Sequence, residues 1–236
     1  MSQYTVALIL LLGFVPGPAV AQKFDLGPYF GPPATVGDFS VFELSNGGTR
    51  TLEMVEVSLW KKGFRCLIQH TENGLDPDFL ETFVIPGKKA LFGDTWAAGL
   101  LIDLKKPATM YKLRVKPGKT NKIRAKGKAL FDGALVGKAK YKGGWVFTGL
   151  EPLETPAASY PDTAVVDLIL ALTVKDRVFG DVIESVVETV SWHARGLGEV
   201  ATRQRTTLWV NGLLEDDSGW VDAWLVDGML GGQPIP

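Results

Sequence analysis

Trp192-His193-Ala194-Arg195-Gly196-Leu197-Gly198-Glu199-Val200, at the centre of the stretch Val182 to Asn211, decides the fold. On either side of it β-branched and polar residues alternate, the period of a strand whose faces meet different surroundings. Gly196 and Gly198 supply the only local freedom for positive φ, so the stretch reads as two long strands meeting at a tight turn. Trp192, His193, Gly196 and Gly198 are accordingly expected to be turn residues and to carry no catalysis.

The pattern recurs outward from this hairpin. Phe39 to Leu44 and Thr51 to Trp60 flank Asn46-Gly47-Gly48, and Phe64 to His70 and Phe79 to Ile85 flank Glu72-Asn73-Gly74 and Asp76-Pro77-Asp78. Residues 163–174 could form a buried helix by apolar content alone. Their even-numbered series Val166, Leu168, Leu170, Leu172, Val174 and their β-branched residues favour a strand. Arg177 to Trp192, Val200 to Val210, Asn211-Gly212 and Trp220 to Val226 complete the series. No long segment has helical period, so the expected fold is all-β, an antiparallel sheet curled into a barrel, half-barrel or sandwich. A β domain is expected over 38–227, with a candidate subdivision near 151–161. A Gly/Pro-rich leader without regular structure is expected over 22–37 and a frayed tail over 228–236.

The chain has 236 residues, 46% of them hydrophobic, enough to bury a core without covalent staples. Its first 21 residues carry no charged side chain, and the apolar run Val6 to Val15 precedes Pro16-Gly17-Pro18 and the small-residue site Ala19-Val20-Ala21. This is the pattern of a signal peptide cut between Ala21 and Gln22, although Met1 to Thr5 lacks the usual Lys or Arg. The run is too short for a comfortable membrane span, so the mature chain is expected to be exported, periplasmic or secreted, with no transmembrane span. No Cys stands near the cut, which gives no indication of a lipid-modified N-terminus. Cys66, alone in the sequence, can form no internal disulfide and is expected to be a buried, inert thiol.

A formal net charge of −1 conceals a strong asymmetry. Lys105 to Lys142 holds thirteen Lys or Arg and one acid, Asp132, whereas Glu151 to the C-terminus holds fourteen acids and five Lys or Arg. Lys112, Arg114 and Lys116, then Lys122, Arg124, Lys126 and Lys128, then Lys138, Lys140 and Lys142 each recur at period two, so three neighbouring strands are expected to show their cations on one face. Like charges facing each other across strands destabilise a sheet by roughly 0.2 to 1 kcal/mol per pair. Either an anionic partner compensates, or the face serves only solubility and protects strand edges.

Two short phrases carry a resemblance. Tyr29-Phe30-x-Pro with Val36-Gly37-Asp38-Phe39, partly echoed at Phe92-Gly93-Asp94-Thr95-Trp96, and Ser191-Trp192-His193-Ala194-Arg195-Gly196-Leu197-Gly198-Glu199-Val200 are similar to the opening and closing phrases of exported bacterial all-β proteins of uncharacterised function. The chain departs from those phrases with Phe39 for Trp, His193 for Tyr and Leu197 for Val. The resemblance implies fold and export, leaves the basic middle uncovered and carries no catalytic residue across. A looser similarity, to periplasmic lipoprotein carriers, implies a curved sheet around an acyl cavity; that is architecture, which does not establish function.

Catalytic and metal signatures are missing from the sequence. His70 and His193 lie on different hairpins without metal-ligand spacing, and no cofactor is implied. No Gly-x-Ser-x-Gly, Ser-x-x-Lys or phosphate loop occurs, and Glu215-Asp216-Asp217-Ser218-Gly219 lacks the alternate spacing of a calcium loop. The seven tryptophans fall in or beside strands, where they fill a core or line a cavity. The expectation is a non-enzymatic envelope protein that binds an anionic or amphipathic ligand or partner (anionic lipid, acidic glycan or acidic protein) through Lys112, Arg114, Lys116, Lys122, Arg124, Lys126 and Lys128. Tyr111, Tyr141 and Trp145 form no stacking platform, so nucleic acid is not expected. The alternative is an assembly component whose basic middle and acidic C-terminal region pair between subunits.

Overall fold

Alternating apolar residues in run after run are buried here by a sheet that closes on itself. The computed structural model describes residues 23–30, 35–75, 77–97 and 99–235. Its strands are β1 (Phe24–Asp25), β2 (Phe39–Leu44), β3 (Thr49–Trp60), β4 (Gly63–Glu72), β5 (Asp78–Ile85), β6 (Lys89–Ala97), β7 (Leu100–Leu104), β8 (Ala108–Lys112) and β9 (Arg114–Val115). They continue with β10 (Asn121–Phe131), β11 (Ala134–Glu154), β12 (Ser159–Asp176), β13 (Val182–Ala194), β14 (Gly198–Val210), β15 (Leu213–Asp217), β16 (Val221–Leu230) and β17 (Gln233–Pro234). Antiparallel neighbours run β14-β13-β12-β11-β10-β7-β6-β5-β4-β3-β2-β16, and β16 pairs back onto β14, giving a closed barrel of twelve strands. Closure pairs the first and last strands of the wall and so covers edges that an open sheet would expose. The deciding hairpin is β13 and β14, joined where Gly196 and Gly198 take φ of 79° and 87°. Residues 163–174 lie within strand β12, and residues 151–161 form the hairpin between β11 and β12, with Glu151 opposite Thr163.

The leader and the tail differ from expectation. Phe24–Asp25 pairs with Arg114–Val115, and a 3₁₀ turn at Gly27–Tyr29 brings Leu26 to 0% and Tyr29 to 1% exposure in the main core. Phe24 stacks on Phe147, and Gly196 donates its backbone N–H to the Pro28 carbonyl at 2.7 Å. Proline and glycine here permit a tight course across the barrel end between β13–β14 and β11–β12. At the other terminus, Gln233–Pro234 folds back on Met229 and Leu230, and Ile235 is buried with Phe42, Leu225 and Val200. One buried isoleucine is enough to order a tail that its glycines mark as loose. Ala21 and Gln22 lie outside the described residues, as do Gly31 to Ala34.

Candidate functional site

Strands β10 and β11 build the basic wall. Ile123, Ala129, Ala139 and Tyr141 are buried in the barrel, which sends Lys122, Arg124, Lys126, Lys128, Lys138, Lys140 and Lys142 outward by the strand period. Register then sets cation against cation: Arg124 faces Lys142, Lys126 faces Lys140, Lys128 faces Lys138, and Lys138 also faces Lys175 on β12. Lys105, Lys126, Lys128, Lys138, Lys140, Lys175 and Arg177 surround an outer trough of about 770 Å³ together with Leu135 and Thr173. Gly127 and Gly137 also line it, and a Cβ on either would sit 2.4 Å from a neighbouring backbone carbonyl, of Asp103 or Lys175. The strands can approach this closely only without side chains there.

The trough is not neutralised from within. Among the described residues, ion pairs within 4 Å join Arg65 to Glu56 and Glu81, Arg203 to Asp222 and Arg205 to Asp217, and the His70 ring lies 3.9 Å from Glu72. None includes a cation of the trough, although Asp103 stands opposite Lys128 in the β7–β10 register. Of the seven expected cations only Lys126 and Lys128 line the trough; Lys122 and Arg124 continue the outward face of β10 beyond it, and the other three leave the wall. Lys112 ends β8, Arg114 pairs with Asp25 in the small β1–β9 sheet, and Lys116 lies in the following turn. Buried Leu113 donates its N–H to the Lys88 carbonyl and accepts that of Leu26, which draws the chain off the barrel course. The expectation of three adjacent basic strands is corrected to β10, β11 and the end of β12. Lys175 and Arg177 were missed because they follow the apolar series of β12, a signal legible only as its continued period.

The barrel interior carries a second group of polar side chains. His193 is buried, its ring packs on Phe30 at 4.7 Å between centroids, and its Nε2 lies 2.9 Å from Ser191 Oγ. Trp192 points to the opposite face and donates from Nε1 to Glu151, so the two motif residues do not pack together. Burial holds His193 down at about 4, and its Nδ1 has no partner. Ser191 and His193 are both buried, and among the described residues no carboxylate is hydrogen-bonded to the imidazole. Glu199 lies opposite His193 because a bulge leaves Val200 unpaired; burial pushes its carboxyl up to about 7, with Arg50 pulling the other way. Arg50 Nε is buried without a partner and lines a cavity of about 240 Å³ with Leu52, Ile68, His70, Asp78, Phe79, Leu80 and Thr95. Desolvation first, then Arg50, lowers His70.

Other singled-out residues have structural duties. Asp38 accepts N–H donors from Thr35 and Gly232, and Asp94 accepts that of Leu104, so the two echoing aspartates tie backbone. Cys66 is buried, and burial raises its thiol. Among the described residues no group of three or more His, Cys, Asp or Glu is placed to hold a metal, and no helix is long and apolar enough to cross a membrane.

No family model and no curated protein matches the chain. Two solved structures are remotely similar to it. One is a candidate exported protein of YmcC-like fold from Bacteroides fragilis, 12% identical, covering 92% of this chain and 100% of its own, at a TM-score of 0.48. The other is a candidate lipoprotein from Parabacteroides distasonis, 13% identical, covering 88% of this chain and 99% of its own, at 0.46. Both likenesses are remote, and the class of the protein, a closed antiparallel β-barrel, follows from its own strand pairing.

Proposed function

We propose that this protein is an exported, non-enzymatic β-barrel that binds an anionic ligand or partner in the trough between β10, β11 and the end of β12. The observation that carries the reading is cation facing cation in successive registers, with no carboxylate within 4 Å of any trough cation among the described residues. Such a face costs folding free energy that a bound anion would recover. The signal-peptide pattern supports export, and the buried, unoriented Ser191–His193 pair favours binding over hydrolysis.

Short-chain polyphosphate is a suitable soluble probe. Binding should be measurable at low salt and weaken roughly tenfold toward physiological ionic strength, as screening shortens the reach of the trough. Lys126→Glu with Lys138→Glu should abolish it while the fold persists by circular dichroism. A double variant that binds as well as the parent overturns the assignment. Assembly between subunits is a second reading, favoured by the exposed, unpaired Glu215 and Asp216 on β15. It predicts oligomers at low salt that dissociate at high salt in sedimentation velocity.

A further inference from the structure

The three hairpins β10–β11, β12–β13 and β14–β15 end side by side at one end of the barrel, and all three present apolar residues to solvent, the third through Leu213 (68%) and Leu214 (50%). Phe179 is 81% exposed, Val178 64%, Phe131 54% and Leu135 46%. Their exposure is built in. Asp176 accepts the Val178 N–H through Oδ1 and donates its own N–H to the Asp181 carbonyl. Asn211 accepts the Val182 N–H and donates to Asp181, and Arg177 donates its N–H to the Val136 carbonyl. These contacts use the polar groups of the turn behind the tip and leave Val178 and Phe179 projecting outward.

Next to these tips lies the trough, and the two surfaces are continuous, since Leu135 and Arg177 belong to both. A contiguous apolar projection flanked by lysines is the arrangement that suits an interfacial layer of acyl chains beneath anionic head groups. A soluble acidic protein or glycan would satisfy the lysines but give Phe179 and Val178 nothing to enter. We propose that this end of the barrel docks on an anionic lipid bilayer, with Phe131, Leu135, Val178 and Phe179 entering the interface and the trough cations holding head groups. The inference rests on the anion-binding reading of the trough and names its partner. Glu215 and Asp216 on β15 bound the footprint, because an anionic surface repels them.

The test uses the protein purified after export, with vesicles of phosphatidylcholine alone or containing phosphatidylglycerol, and polyphosphate as the soluble control. Sedimentation should show binding to phosphatidylglycerol vesicles at least about tenfold stronger than to phosphatidylcholine, reduced by salt. Val178→Ser with Phe179→Ser, at positions that touch little of the fold, should weaken vesicle binding roughly tenfold and leave polyphosphate binding unchanged. Polyphosphate binding without vesicle binding, or vesicle binding indifferent to the tip variant, overturns the membrane assignment while the trough reading stands. Loss of both by the parent protein overturns the two together.

Discussion

The two ends of the barrel are built from the same kind of hairpin and are finished in opposite ways. At one end the segment Phe24 to Phe30 crosses between strands; Leu26 and Tyr29 sink into the core, Phe24 stacks on Phe147 and Phe30 packs on Tyr111. At the other, Phe131, Val178 and Phe179 stand in solvent with no chain over them among the described residues. Hairpin chemistry alone therefore does not decide whether an apolar tip is buried. A covering segment does: it lies over the β11–β12 and β13–β14 hairpins, and the tips beside the trough lysines have none among the described residues.

Removing the cover breaks this contrast with the largest effect. Tyr29 packs beside Phe24, donates its hydroxyl to Asp162 at 2.6 Å and accepts from Arg195, so Tyr29→Ala leaves both a cavity and an unpaired carboxylate. Urea denaturation should show a loss of about 3–5 kcal/mol, the range of buried aromatic deletions. Phe179→Ala should change stability by less than about 0.5 kcal/mol, as at exposed sites generally. Similar losses for both would remove the distinction between a sealed and an open end.

How much of this could be read from the sequence depends on whether a residue acts through its period. The walls were legible because burial on one face repeats every second residue, and Lys122 to Lys128 opposite Lys138 to Lys142 followed from it. Leu26 and Tyr29 act singly, within a Pro/Gly-rich stretch that has no period, and the segment read as an unstructured leader. Arg114 and Lys116 keep the period of Lys112 after the chain leaves β8 at Leu113, where alternation ceases to report which sheet a residue joins. Glu199 stands one residue after a turn glycine, and only the bulge at Val200, fixed by pairing across the hairpin, sets it opposite His193.

Within the sealed half, Glu199 and His193 offer a smaller and more selective effect. The Glu199 carboxyl, raised to about 7, makes the native state bind a proton more tightly than the unfolded chain between roughly pH 4.5 and 7, so stability falls as pH rises through that window. His193, lowered to about 4, does the reverse: between roughly pH 4 and 6.5 the unfolded chain binds the extra proton, and stability falls as pH drops. The two slopes oppose each other where they overlap. Glu199→Gln should raise stability at pH 8 by about 2–3 kcal/mol and expose a rise between pH 5 and 6.5 that the parent lacks. Parallel pH profiles would show that Glu199 does not carry this cost.

The open half yields the smallest change in stability and ties it to binding. Lys138 faces Lys128 on one side and Lys175 on the other, the one lysine of the trough opposed in both registers. Lys138→Gln removes both oppositions and should stabilise the barrel by about 0.5 kcal/mol at low ionic strength, a gain reduced from two full pairs by solvent screening. At about 1 M salt, where charges interact over roughly 3 Å, parent and variant should melt together. The same substitution should weaken polyphosphate binding. Opposite signs for stability and affinity at one position would mark a surface held against its own repulsion for an anion. If Lys138→Gln leaves low-salt stability unchanged, the cations already lie apart in water, and the trough needs no anion to relieve it.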